Sequence, residues 1–101
     1  MFRLGDVILA QVQFTDSSNA KVRPGVVLFE ELGNIVIAGV TSNRSMRGIP
    51  LTREEGAIKE SIIKLNYIFT LSKFMIRKTL FSLPLEKKRE VVSELTKKLK
   101  I

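Results

Sequence analysis

No cysteine and no histidine occur among the 101 residues. The first absence excludes disulfides, thiolate zinc sites and cysteine nucleophiles, and is consistent with a reducing compartment. The second removes imidazole, so any catalysis has to run on arginine, lysine, carboxylates, hydroxyls or backbone amides. Tryptophan is missing too, and aromatics make up only 7% of the chain against 45% hydrophobic residues, which leaves a modest, mainly aliphatic core. No run approaches the roughly 20 apolar residues of a membrane span. The opening MFRLGDVILAQVQF also lacks the apolar stretch and small-residue cleavage site of a secretory signal. The expectation is a soluble, cytoplasmic protein without a membrane partner, folded as one domain over residues 1–101.

Acidic residues are in the minority. Ten Asp and Glu against 17 Lys and Arg give a net charge of +7. That excess suits a polyanionic partner, RNA or DNA ahead of an anionic membrane surface. The alternative is a solvated lysine-rich surface, since part of the charge lies in a C-terminal KKLKI that fits the negative end of a helix.

What is present reads mainly as short strands. DVILAQVQF (Asp6 to Phe14) is an apolar run that turns into alternation, as in a strand buried most deeply at its start. TDSSNAKV is a polar loop, after which Pro24 and Gly25 lead into VVLFEE. Proline is tolerated at a strand's first residue and biases the preceding Arg23 toward extended backbone. Gly33 and Asn34 mark a tight turn, and IVIAGVT (Ile35 to Thr41) is β-branched, so the two runs pair as a hairpin. SNRSMRG is a second polar loop, followed by a short edge strand IPL and a turn TREEGAIKE. SIIKLNYIFTL places Ile63, Leu65, Tyr67 and Phe69 on one strand face at period two. SKFMIRKTLFSL fits either period. From Pro84 to Lys100, Leu85, Val92, Leu95 and Leu99, joined by Val91, form the apolar stripe of a helix. Pro84 suits its first position, Glu86 its positive end and Lys97 with Lys98 its negative end. Five or six strands and one C-terminal helix predict a mainly β (α+β) fold, a small barrel-like sheet.

The two polar loops end against neighbouring strands. Arg23 at the start of the hairpin and Thr41 at its finish therefore lie side by side at one rim. A guanidinium and a hydroxyl converging there can hold a phosphate, the first in bidentate fashion and the second by one hydrogen bond. The competing reading is two ordinary surface residues at strand ends.

GDVILAQVQF, KVRPGVVL, VIAGVTSN, IPL and SIIKLNYIFTLSK, in this order and at these separations, resemble the MazF/PemK toxin family of endoribonucleases over nearly the whole chain. The resemblance implies a small SH3-like β-barrel of five to six strands with a C-terminal α-helix, of MazF/PemK/CcdB-like type. It puts the family's catalytic arginine on Arg23 and its catalytic threonine on Thr41, with Ser42 beside it. It further implies metal-independent, sequence-selective cleavage of single-stranded RNA without a cofactor. A neighbouring 2′-hydroxyl attacks the phosphate, leaving a cyclic or 3′-phosphate and a 5′-hydroxyl. Its implied partners are a homodimer mate and the acidic, partly disordered segment of an antitoxin.

Lys21, Asn43, Arg44 and Arg47 are then candidate RNA contacts, Asn43 as a reader of a base edge in a splayed strand. The alternative for the loop is a solvated basic segment. Arginine stays protonated at any working pH, which makes it a poor general base; Asp16 and Lys21 in the first loop are the nearby groups with suitable chemistry, Asp16 the candidate for proton transfer with an ordinary loop-forming Asp as its alternative, and Lys21 rather a phosphate contact. Two departures stand out: YIFT places Phe69 where some relatives carry an arginine, in QIRT, and Phe81 replaces a family glycine. Tyr67 and Phe69 are expected in the core rather than as a base-stacking platform. The alternative function is a non-catalytic nucleic-acid-binding or topoisomerase-inhibiting barrel.

Overall fold

A computed structural model describes residues 1–12 and 21–101. Six strands, β1 (Asp6–Val12), β2 (Lys21–Glu31), β3 (Asn34–Thr41), β4 (Ile49–Leu51), β5 (Ser61–Ser72) and β6 (Ile76–Ser82), precede one helix, α1 (Leu85–Lys98). They form one antiparallel sheet in the order β4-β5-β3-β2-β1-β6. Register shifts between β1 and β6, β2 and β3, and β3 and β5 bend the strands and curl the sheet into a half-barrel. The expected mainly β fold with a C-terminal helix is therefore the one observed, with six strands. Among the described residues no helix is long and apolar enough to cross a membrane.

The near-continuous apolar runs have a direct cause, because both faces of the sheet are covered. Val7, Val26, Ala38, Val40, Ile63 and Leu65 pack with Val91 of α1 on one face. Ile8, Ala10, Val12, Val27, Ile35, Ile37 and Leu71 form a second cluster, flanked by Phe2, Phe69 and Ile76. Strands covered on both sides lose the polar alternation that a half-exposed strand shows.

Several expectations are corrected. Pro24 is not the first residue of its strand: β2 starts at Lys21, and Pro24 pairs with Leu9 of β1. Pairing with β3 begins one residue later, at Gly25 opposite Gly39, which accommodates a residue with no N–H to give. The hairpin turn is Leu32–Gly33, both at positive φ, and Asn34 already belongs to β3. SKFMIRKTLFSL resolves into a 3₁₀ turn at Lys73–Met75 followed by β6. Phe14 lies outside the described residues.

The helix stripe is narrower than periodicity suggested. Val91 is fully buried and Leu95 partly, whereas Leu85, Val92 and Leu99 are exposed. Pro84 is the N-cap rather than the first helical residue. Charge helps dock the same face one turn before Val91: Lys87 Nζ sits 2.9 Å from the Pro50 carbonyl, 3.1 Å from Glu90 and 3.2 Å from Glu55. Glu55 also accepts from the Thr52 backbone at 2.9 Å, closing the 3₁₀ turn Arg53–Glu55. Phe81 fills space on the helix side of the sheet, its ring lying where a side chain on Gly56 would stand.

Candidate active site at the ends of β2 and β3

The β2–β3 ladder fixes the geometry. Gly25 faces Gly39, Val26 faces Ala38 and Val27 faces Ile37. Continued outward by two residues, the same register sets Arg23 opposite Thr41. Side chains two apart share a face, so Arg23, Gly25 and Val27 project to the side of the second core cluster, as do Ile37, Gly39 and Thr41. Both Arg23 and Thr41 are half-buried. Arg23 also stands across from Ala10 of β1, a small buried residue, and Thr41 across from Ile62 of β5.

Beneath this pair the floor is cut low by two glycines facing each other. A methyl on Gly25 would run into the end of Ile37, and one on Gly39 would touch Tyr67 and Phe69. Two glycines thus keep the surface between the strands low, with the Tyr67 and Phe69 side chains beside Gly39.

Thr41 opens the loop to β4 with a local hydrogen-bond pattern. Its Oγ1 accepts the Asn43 N–H at 3.1 Å, which leaves the hydroxyl hydrogen to donate elsewhere. Asn43 Oδ1 accepts from the Ser45 backbone at 3.1 Å and from the Ser45 hydroxyl at 2.6 Å. The Asn43 carboxamide oxygen is therefore committed inside the loop, and its NH₂ is the group that remains to donate outward. Ser42, Asn43, Arg44 and Arg47 are exposed, and Lys21 stands exposed two residues before Arg23 on the same face of β2. Asp16 lies outside the described residues. Lys21–Gly25, Gly39–Gly48 and Ile62–Tyr67 contain five basic residues and no carboxylate, so the potential over this rim is positive.

Two neighbours of the site escape a reading by periodicity. In the β3–β5 ladder Ala38 faces Ile68, but the next residue, Gly39, faces Lys64, so Leu65, Asn66 and Tyr67 are accommodated as an insertion. The expected common face of Ile63, Leu65, Tyr67 and Phe69 is thereby broken. Ile63 and Leu65 stay in the helix-side core, Phe69 joins the second cluster, and Tyr67 is 38% exposed beside Gly39. Lys64 arrives on the site face with its ammonium 5.4 Å from the Tyr67 ring centroid. No feature of SIIKLNYIFTL marks where the register shifts.

Two open clefts lie beside α1. One of about 480 Å³ surrounds the Glu55–Lys87 contact and is lined by more carboxylates than cations, which makes it a poor seat for a polyanion. The other, of about 570 Å³, adjoins the candidate site, sharing Arg47 and Lys64 with it, and sets them with Lys98 against Glu90 and Glu94.

No curated protein sequence matches this chain. Among solved structures, the Mycobacterium tuberculosis toxin MazF-mt6 superposes with a TM-score of 0.68 at 19% identity, over 89% of this chain and 90% of that one. That likeness concerns the fold. The family model of the "PemK-like, MazF-like toxin of type II toxin-antitoxin system" matches residues 3–99, and with nearly every residue inside that match this chain belongs to the PemK-like, MazF-like toxins.

Proposed function

We propose that the chain, as a single domain over residues 1–101, is a metal-independent, sequence-selective endoribonuclease acting on single-stranded RNA in the cytoplasm. What supports this is the β2–β3 register, whose outward continuation from Gly25 and Gly39 sets Arg23 level with Thr41, beside segments that carry five cations and, among the described residues, no carboxylate.

The chemistry follows from those groups. The 2′-oxygen of the nucleotide attacks the adjacent phosphorus, the P–O5′ bond breaks, and a cyclic phosphate and a 5′-hydroxyl result. Negative charge builds on the non-bridging oxygens as the phosphorane forms. The Arg23 guanidinium, rigid and permanently charged, is suited to stabilise it, which is the role a metal ion takes in other nucleases. Thr41, whose oxygen already accepts from the Asn43 amide, directs its proton to the same phosphate. The proton from the 2′-oxygen needs another acceptor, for which Asp16 is the proposed group. Lys21, Ser42, Arg44 and Arg47 extend backbone contacts, and the Asn43 NH₂ reads a base edge.

A type II toxin has an antitoxin partner. An acidic, partly disordered segment that competes with RNA for this positive rim fits a protein of net charge +7. The working form is proposed to be a homodimer. A second reading, a binding module without turnover, draws on Phe69: it packs in the second core cluster where some relatives carry a cation.

Purified wild type and Arg23→Ala incubated with a long single-stranded RNA in EDTA, with fragment ends mapped, decide between them. Cyclic or 3′-phosphate ends from wild type alone support the nuclease. Binding without cleavage, weakened by Arg23→Ala in a salt-dependent way, supports the module.

A further inference from the structure

Lys64 is 8% exposed, and among the described residues it is the buried side chain that carries a charge. Removing an ammonium from water is costly and requires specific compensation. Its Nζ donates to the backbone carbonyl of Arg47 at 2.6 Å, a contact spanning seventeen residues of sequence, and sits by the Tyr67 ring.

The carbonyl it holds belongs to the loop between β3 and β4. Within that loop the bonds are short-range: Asn43 to Thr41, Ser45 to Asn43, and the Met46 N–H to the Asn43 carbonyl at 3.1 Å. Such bonds give a loop its shape but do not fix its height above the sheet. The bond from Lys64 ties the loop to another strand. The next residue, Gly48, runs so close to β5 that a side chain there would collide with the Ile63 carbonyl, so the loop is pressed against the strand that carries Lys64.

Lys64 also faces Gly39, two residues along β5 from Ile62, which faces Thr41. It shares a face with the proposed reaction centre and is anchored to the loop bearing Asn43 and Arg44.

We propose that Lys64 is a positioning residue: by holding the Arg47 carbonyl it sets the Ser42–Arg47 loop over the Arg23–Thr41 pair and so determines which nucleotides beside the scissile phosphate are accepted. This rests on the endoribonuclease reading above. Lys64 makes no bond to the reacting atoms in this scheme, and its contribution is the geometry of the groups that contact the bases.

Methionine matches lysine in length, tolerates an apolar site and has no donor, so Lys64→Met removes the anchor with little change in volume. Lys64→Arg keeps a donor and is the rescue variant. Amide hydrogen exchange across residues 42–48 without RNA reads the anchor, and kcat, KM and the distribution of cleavage sites on a long RNA read its consequence. Lys64→Met is expected to exchange about tenfold faster in the loop, with β1–β3 core amides unchanged. It is also expected to lose about tenfold of the preference between its best and next-best sites, with Lys64→Arg recovering most of both. Unchanged loop exchange in a folded Lys64→Met overturns the anchor. Faster exchange with unaltered site preference overturns the positioning role and leaves a structural tether. Should wild type cut no RNA, the endoribonuclease reading fails and the selectivity claim with it, while the exchange comparison still decides whether Lys64 anchors the loop.

Discussion

The ammonium of Lys87 lies 3.2 Å from the carboxylate of Glu55, joining the first turn of α1 to the 3₁₀ turn that follows β4. Burial alone would raise the Glu55 carboxyl, but hydrogen bonds from Thr52 and Lys87 outweigh it and hold the group below its ordinary 4.5. Burial likewise disfavours the charged form of Lys87, and its bonds to Glu90 and Glu55 outweigh that cost and raise it above 10.5. A lowered carboxyl contributes stability that is present above about 4.5 and lost as the pH falls through its folded value. A raised ammonium contributes stability present below about 10.5 and lost as the pH rises through its folded value. Urea midpoints for wild type should therefore fall at both extremes, and Lys87→Met should flatten the profile while costing on the order of 1 kcal/mol at neutral pH.

Leu32 occupies the left-handed region at φ 52° and is 95% exposed, so it strains the β2–β3 turn without any packing in return. A turn with positive φ at both central residues prefers Asn or Gly at the first. Leu32→Asn is expected to stabilise the protein by about 1 kcal/mol. Thermal melts of the two proteins would check it.

Gly48 is required by the close passage of the loop along β5. A methyl there meets the Ile63 carbonyl, a backbone atom that cannot rotate aside. Gly48→Ala should destabilise by about 1–3 kcal/mol. The equivalent change at Gly25 meets the flexible end of Ile37 and should cost less. Denaturant titration of both variants tests that order.

At the proposed reaction centre, Arg23→Ala should lower kcat by about 10²–10³ with the fold intact. Arg23→Lys should recover only part of it, since a point charge cannot reproduce bidentate phosphate contact. Thr41→Val removes both the donor to phosphate and the acceptor for the Asn43 amide, whereas Thr41→Ser keeps both. Roughly tenfold lower kcat/KM is expected for valine and near-wild-type values for serine. Steady-state kinetics on a short RNA, with circular dichroism as the control for folding, separates the outcomes.

Much of this molecule could be read in one dimension. The β-branched runs, the turn residues and the C-terminal apolar stripe mark five strands and a helix, because alternation, turn chemistry and helix-end charge are local properties, while SKFMIRKTLFSL, which holds β6, fits either period. The β2–β3 hairpin that carries Arg23 and Thr41 was legible for the same reason, since a short turn joins its two runs. The mislaid features all depend on cross-strand register. An alternating SIIKLNYIFTL looks like one continuous face, yet the shift between Ala38 and Gly39 sends Tyr67 to the site's edge and gives Lys64 a place opposite Gly39. Helical periodicity likewise counted Val92 and Leu99 as core, although what a curved sheet can cover is settled by its shape, and it covers Val91. The sequence by itself determined most of the elements and the hairpin that β2 and β3 form. Only the tertiary structure decided that a buried lysine holds the neighbouring loop, because a bulge adds residues to one strand without leaving a periodic trace, and its effect exists only relative to the strand it pairs with.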